Sequence, residues 1–145
     1  MQIRSDRSHH FDRSAAEVWE ALTRTDDYRS WWPWLRRLDG AAMEAGAEWE
    51  CTVQPPLPYV LRFAIAIDEV DEALRVTASV HGDIRGTAEL TLSETDAGCD
   101  VRLASVLEPA NRGLQVISTL APPVARFGHD WIVRTGVDQF RRQAW

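Results

Sequence analysis

"ARFGHDWIVRTGVDQF", residues 125–140, decides the fold. At about 100° per residue it makes a helix with two unlike faces. Arg126, Asp130, Arg134, Asp138 and Arg141 fall within one arc. Ala125, Gly128, Ile132, Thr135, Gly136 and Gln139 form the opposite stripe, and His129 lies nearer to it than to the charged arc. The wheel is not clean, because Phe127 and Val137 intrude on the charged side. Pro122–Pro123 must break or restart the helix upstream, since proline fixes its backbone angle and donates no hydrogen bond. A terminal helix whose inner face is built from small residues needs a broad apolar surface to pack on.

The middle of the chain supplies that surface, with apolar residues at a period of two. In "AEWECTV", Trp49, Cys51 and Val53 alternate with polar neighbours, and in "YVLRFAIAI" Tyr59, Leu61, Phe63, Ile65 and Ile67 share a face. "LRVTASV" sets Leu74, Val76, Ala78 and Val80 on one side, and "IRGTAELTL" does so with Ile84, Gly86, Ala88, Leu90 and Leu92. "VRLASVL" adds Val101, Leu103, Ser105 and Leu107. Strands that are apolar on one side only belong to an antiparallel sheet covered on one face. Asp71–Glu72, Gly82–Asp83 and Asp96–Gly98 are hairpin connections. "QPPLP" is a stiffer loop.

Ahead of these, Gln2 to Phe11 reads as an edge strand. "SAAE" (Ser14 to Glu17) opens a helix with a capping box, and Val18, Trp19 and Leu22 give that helix an apolar face. A second short helix is expected from near Asp26 to before Pro33, and a further strand from about Trp34 to Ala41. A sheet of this length must curl, and only the C-terminal helix is long enough to cover it. Curling leaves an interior cavity wherever side chains fail to fill the space.

Composition narrows the function. With 145 residues, 45% hydrophobic and 26% charged, the chain reads as one globular domain over residues 1–145. A net charge of −6 argues against a nucleic-acid groove. "MQIRSDRSHHFD" has no apolar core segment, so no secretory signal is read there, and no apolar run is long enough to span a bilayer. A cytoplasmic protein, monomer or homodimer, is expected. All 16 positive residues are arginine, and the lack of lysine excludes Schiff-base, pyridoxal-phosphate and P-loop lysine chemistry. Cys51 and Cys99 have no metal-ligand spacing and read as free thiols, so neither a metal nor a cofactor is expected.

The opening "FDRSAAEVWEALTRTDDYRSWWPWL", the mid-chain "GDIRGTAELTL" and the late "FGHDWIVRTGVDQFRR" together resemble the START-like superfamily, also called SRPBCC or the helix-grip fold. The likeness is to its bacterial branch of polyketide cyclase/dehydrase and lipid-transport proteins. It implies an α+β fold in which a curved antiparallel sheet of about seven strands wraps a long C-terminal helix, with two short helices after the first strand. It further implies a small hydrophobic or aromatic ligand held between sheet and helix. Some members cyclise or dehydrate such molecules, and others carry ligands or act as co-chaperones, so fold alone does not choose among them.

The candidate site residues follow from the inward rows. Gly128 and Gly136 cost a helix about 1 kcal/mol each relative to alanine. Room for a ligand is the favoured explanation, and close sheet–helix packing the other. His129 is either an acid-base group in the cavity or a boundary histidine. Asp130 is expected to pair with Arg126 or Arg134 rather than with His129, because adjacent helical side chains diverge. Trp32 and Trp34 of "WWPW" serve as core or as an aromatic rim, and Trp49 and Trp131 read as packing. Cys51, Tyr59 and Ser105 are the polar exceptions in the aliphatic rows. Ser105 either bonds to backbone or faces a ligand. Phe63, Ile65 and Ile132 complete the expected wall. If a reaction occurs, His129 and Tyr59 are the proton-handling pair.

Overall fold

A computed structural model of the chain describes residues 2–145. Its elements are β1 (Ile3–Phe11), α1 (Ala15–Thr23), α2 (Tyr28–Trp31), β2 (Leu35–Asp39), β3 (Glu48–Val53), β4 (Leu61–Asp71), β5 (Arg75–Gly82), β6 (Ile84–Thr95), β7 (Gly98–Pro109), α3 (Arg112–Leu120) and α4 (Pro122–Gln143). A short 3₁₀ turn at Thr25–Asp27 leads into α2. This is the helix-grip architecture that the sequence pattern and the resemblance point to.

Local chemistry sets the helix boundaries. The Ser14 side chain accepts a hydrogen bond from the Glu17 backbone N–H at 3.1 Å, and Glu17 Oε1 accepts from the Ser14 N–H at 3.4 Å. This reciprocal box fills orphan donors of the first turn of α1. Asn111 caps α3 by accepting from the Leu114 N–H at 2.7 Å. Ala121 then leaves helical geometry, with φ −139° and ψ 66°, and Pro122 starts α4 where its missing N–H costs nothing.

The sheet is wholly antiparallel, in the order β1-β7-β6-β5-β4-β3-β2, so β1 and β2 are its edges. Register shifts between Leu35 and Arg37, and between Ile67 and Glu69, bend it. Gly86, with φ +150°, lets the β7 backbone approach so closely that a Cβ there would collide with the Val106 carbonyl. Bent in this way, the sheet wraps α4.

Several local expectations change, among them Tyr59, which lies in the proline-rich loop ahead of β4 rather than in the inward row of that strand. Leu74 is not in the core row, because the β4–β5 turn swings it into solvent beside Ala73, which has φ 60°. Val137 packs against the core rather than joining the charged arc.

The filled part of the interior is aromatic. Phe140 of α4 meets Phe11 and Trp31 edge-on, at ring-centroid distances of 5.7 and 5.5 Å. Tyr28 stands beside Trp32 at 4.7 Å, and its hydroxyl donates to the Leu22 carbonyl. Val18 and Cys99 are fully buried at this end. Burying an aliphatic side chain of this kind contributes roughly 1.5–3 kcal/mol. This plug closes one end of the space under the sheet and leaves the other end unfilled.

Candidate functional site

The unfilled space is a cavity of about 330 Å³ between the concave face of the sheet and the α3–α4 pair. That volume lies at the low end of the ~300–1,000 Å³ typical of small-molecule sites. The sheet wall carries Cys51, Phe63, Ile65, Val80, Leu103 and Ser105, and the helical wall carries Leu114, Ser118, Ala125, Gly128, His129 and Ile132. Trp32, Trp34 and Trp49 close it toward the aromatic plug. Tyr59 lines it from the loop between β3 and β4. Of the residues selected from sequence, Gly136 alone is off the wall.

The two glycines of α4, Gly128 and Gly136, do not leave empty space for a ligand. The Tyr59 hydroxyl occupies the position that a Cβ on residue 128 would take, with Leu57 Cδ1 only 3.1 Å from it. At Gly136 the ring of Trp34 comes within 3.2 Å of where a Cβ would sit. Close packing therefore accounts for both glycines, against side chains of the protein itself. The cavity arises instead from the small and medium side chains across the sheet, such as Ala88 and Ser105.

The tryptophans are held by their polar edges. Trp32 Nε1–H donates to the Gly136 carbonyl at 2.9 Å, and Trp34 Nε1–H donates to Gln139 Oε1 at 2.8 Å. Both indoles, stacked at 5.6 Å, are thereby anchored to α4. Trp49 Nε1–H donates to the Ala42 carbonyl at 2.9 Å. With each N–H satisfied by the protein, the apolar ring surfaces of Trp32, Trp34 and Trp49 are what the cavity receives.

The polar groups on the wall are few. His129 has a side chain only 15% exposed, and burial pulls its pKa below the ordinary histidine value despite the opposing pull of Asp130. Its Nδ1 lies 3.5 Å from Asp130 Oδ1, a long contact between neighbours that the wheel does not anticipate. Asp130 pairs not with Arg126 or Arg134 but with Arg7 on β1, at 3.3 Å. A residue far along the chain competes successfully because the edge strand runs under α4. Burial likewise raises the Tyr59 phenol above its usual range and pushes the Cys51 thiol up to about 12. Near neutral pH all three groups are uncharged, so the wall presents no ionised side chain from them.

Ser118 escaped the sequence reading. It is 3% exposed and lines the cavity from α3, one helical turn after Leu114. That spacing of a buried pair on one helix face is the signal that identifies it. Tyr28 also reaches the wall. Cys51 and Cys99 are both free and buried. Among the described residues, no group of three His, Cys, Asp or Glu side chains is placed to hold a metal ion. A larger, solvent-open groove of about 570 Å³ crosses the outer face of the sheet. Its carboxylates are engaged: Asp6 with Arg102 at 2.7 Å, Asp68 with the Ser79 hydroxyl at 2.7 Å and Glu89 with Arg75 at 3.2 Å.

Comparison with known proteins assigns the architecture. The sequence profile described as "Polyketide cyclase / dehydrase and lipid transport" matches residues 2–144. The chain belongs to that family. A Thermus thermophilus protein of known crystal structure superposes on this member of the family with a TM-score of 0.79 at 14% identity, covering 99% of this chain and 97% of the other. The Zhui aromatase/cyclase of a Streptomyces species superposes with a TM-score of 0.74 at 15% identity, covering 99% and 94%. A conserved Geobacillus kaustophilus protein gives 0.73 at 10% identity, covering 98% and 95%. At such identities the likeness establishes the shared fold. Among proteins of curated function, no sequence matches this family member. No helix among the described residues is long and apolar enough to cross a membrane.

Proposed function

We propose that this protein binds a small hydrophobic or aromatic molecule in the cavity between sheet and α4, as a carrier or sensor. The observation that carries the reading is the wall itself. Indole and phenyl rings from Trp32, Trp34, Trp49 and Phe63, with aliphatic side chains from all seven strands, surround a space of about 330 Å³. Scattered polar groups, Tyr59, Ser105, Ser118 and His129 among them, suffice to orient a ligand through one or two oxygen atoms. The Glu108 carboxylate on the same lining is paired with Arg85 at 2.6 Å. Native mass spectrometry of the purified protein tests the proposal. A co-purifying small molecule, released on denaturation, is expected. Failure to bind any member of a broad panel of hydrophobic compounds removes the reading.

A second reading, cyclisation or dehydration of a polyketide-like chain, draws on His129 and Tyr59 both lining the cavity. A neutral imidazole and a phenol lining one cavity offer a proton acceptor and a proton donor to the same bound molecule. Asp130, at 3.5 Å from Nδ1, would favour the tautomer with its proton on Nδ1. Replacing His129 by alanine should abolish turnover on a validated substrate while ligand binding persists. Unchanged turnover removes His129 from the chemistry.

A further inference from the structure

The outer side of the helix pair that closes the cavity is unlike the rest of the surface. Val116 and Leu120 lie one turn apart on α3 and are 54% and 80% exposed. Past the break at Ala121, Pro123 and Phe127 lie one turn apart on α4, and Phe127 is 46% exposed. Single exposed apolar residues need no explanation, but four at one helical corner do. The charge there is equally distinctive. The chain carries 22 acidic residues and a net charge of −6, yet no carboxylate lies between Glu108 and Asp130. That stretch contains instead two exposed arginines, Arg112 and Arg126.

We infer that the α3–α4 corner is a docking surface for anionic lipid bilayers, with Val116, Leu120 and Phe127 entering the interface and Arg112 and Arg126 meeting lipid phosphates. Four apolar side chains expose on the order of a few hundred Å². That is well short of the ~1,200 Å² buried in a specific protein interface. Adsorption to a bilayer needs only a few inserted apolar groups backed by cations. Guanidinium groups suit phosphates because they donate in a fixed fork. The local positive charge also overcomes the repulsion between an acidic protein and an acidic membrane, but only if this corner faces the lipid. Leu114, Ser118 and Ala125 line the cavity from the inner side of the same two helices. Docking therefore sets one wall of the cavity at the lipid surface, where a hydrophobic ligand partitions. This last consequence rests on the carrier reading, whereas the docking itself does not.

Flotation of the full chain with phosphatidylcholine vesicles, with and without phosphatidylglycerol, tests the proposal. Binding is expected only to the phosphatidylglycerol vesicles and should weaken as salt is raised. Leu120→Glu and Phe127→Glu should each abolish flotation. Arg112→Gln and Arg126→Gln should each lower the partition coefficient about fivefold, corresponding to roughly 1 kcal/mol per arginine at an anionic surface. All four positions are exposed, so thermal unfolding should stay near that of the native chain. An aromatic fluorescent probe binding equally well to Leu120→Glu without vesicles separates the two proposals, since loss of probe binding in every form overturns the carrier reading alone. Absence of flotation with phosphatidylglycerol, or flotation unaffected by Leu120→Glu, overturns the docking surface. So does a shift from dimer to monomer caused by Leu120→Glu in a chain that never floats, which would mark the corner as a contact between two copies.

Discussion

The hydroxyl of Tyr59 fills the place of the side chain that Gly128 lacks. A residue of the proline-rich loop is thus seated on the helix across the cavity, and the contact fixes how closely that loop approaches α4. Alanine at 128 would gain up to about 1 kcal/mol of helix propensity. It would also force the phenol and Leu57 to move, at a cost of about 1–3 kcal/mol. Gly128→Ala is therefore expected to destabilise the protein by about 1 kcal/mol in urea unfolding, and adding Tyr59→Phe should recover most of the loss. A stabilised Gly128→Ala single variant would show that the contact is not maintained in solution.

The indole of Trp34 depends on one amide oxygen. Gln139→Leu leaves its partly buried N–H without the 2.8 Å acceptor. An unsatisfied donor of this kind costs about 1–3 kcal/mol. The expected loss of stability should come with a red-shifted tryptophan emission as the ring loosens. Ligand affinity should fall as well, because Trp34 lines the cavity.

Acid should weaken the fold through two histidines that it withdraws in part from water, His129 and His9. Burial is the first cause of the lowered pKa of both His129 and His9, and the buried His9 Nε2 has no hydrogen-bond partner. Above the unfolded value near 6.5 both states are neutral, and neither histidine alters stability. As pH falls below that value the unfolded chain takes up protons first, so stability declines until the folded-state pKa is passed. The urea midpoint should drop between pH 7 and pH 5, and His129→Gln should flatten part of the drop. His10, whose pKa is raised by the Asp100 hydrogen bond, acts in the opposite sense but stands in solvent. A midpoint that rises toward acid would contradict the burial of the other two.

Cys51 should be chemically silent. Its thiol is buried on the cavity wall and pushed up to about 12, so almost no thiolate exists at neutral pH. Alkylation by iodoacetamide should proceed only at the rate of unfolding, and ligand binding should slow it further. Rapid alkylation of the native protein would mean that water reaches this wall freely.

What the sequence reveals and conceals follows from the range of the forces involved. The Ser14–Glu17 box, the alternating rows from Trp49 to Leu107 and the restart at Pro122 are local, and each is legible because periodicity and capping act over a few residues. The pairing of Arg7 with Asp130 is not, since wheel geometry offers Asp130 nearer arginines and only the path of β1 beneath α4 decides the outcome. Gly128 and Gly136 are conspicuous in the sequence, but whether a ligand or an aromatic ring fills the gap depends on where Tyr59 and Trp34 land. The cavity wall is largely visible in the strand rows. Ser118 is signalled only by its one-turn spacing from Leu114 in the short helix ahead of the proline pair.

The central claim is that the space beneath the sheet accepts an aromatic guest, and the most direct measurement is a titration with a naphthalene-based fluorophore, read by energy transfer from the wall tryptophans. The native chain should bind it saturably at one site, with a rise in thermal midpoint. Ala88→Leu, which places bulk in the cavity, should abolish that transfer while remaining folded. No saturable transfer to the native chain, or the same transfer in Ala88→Leu, would contradict it.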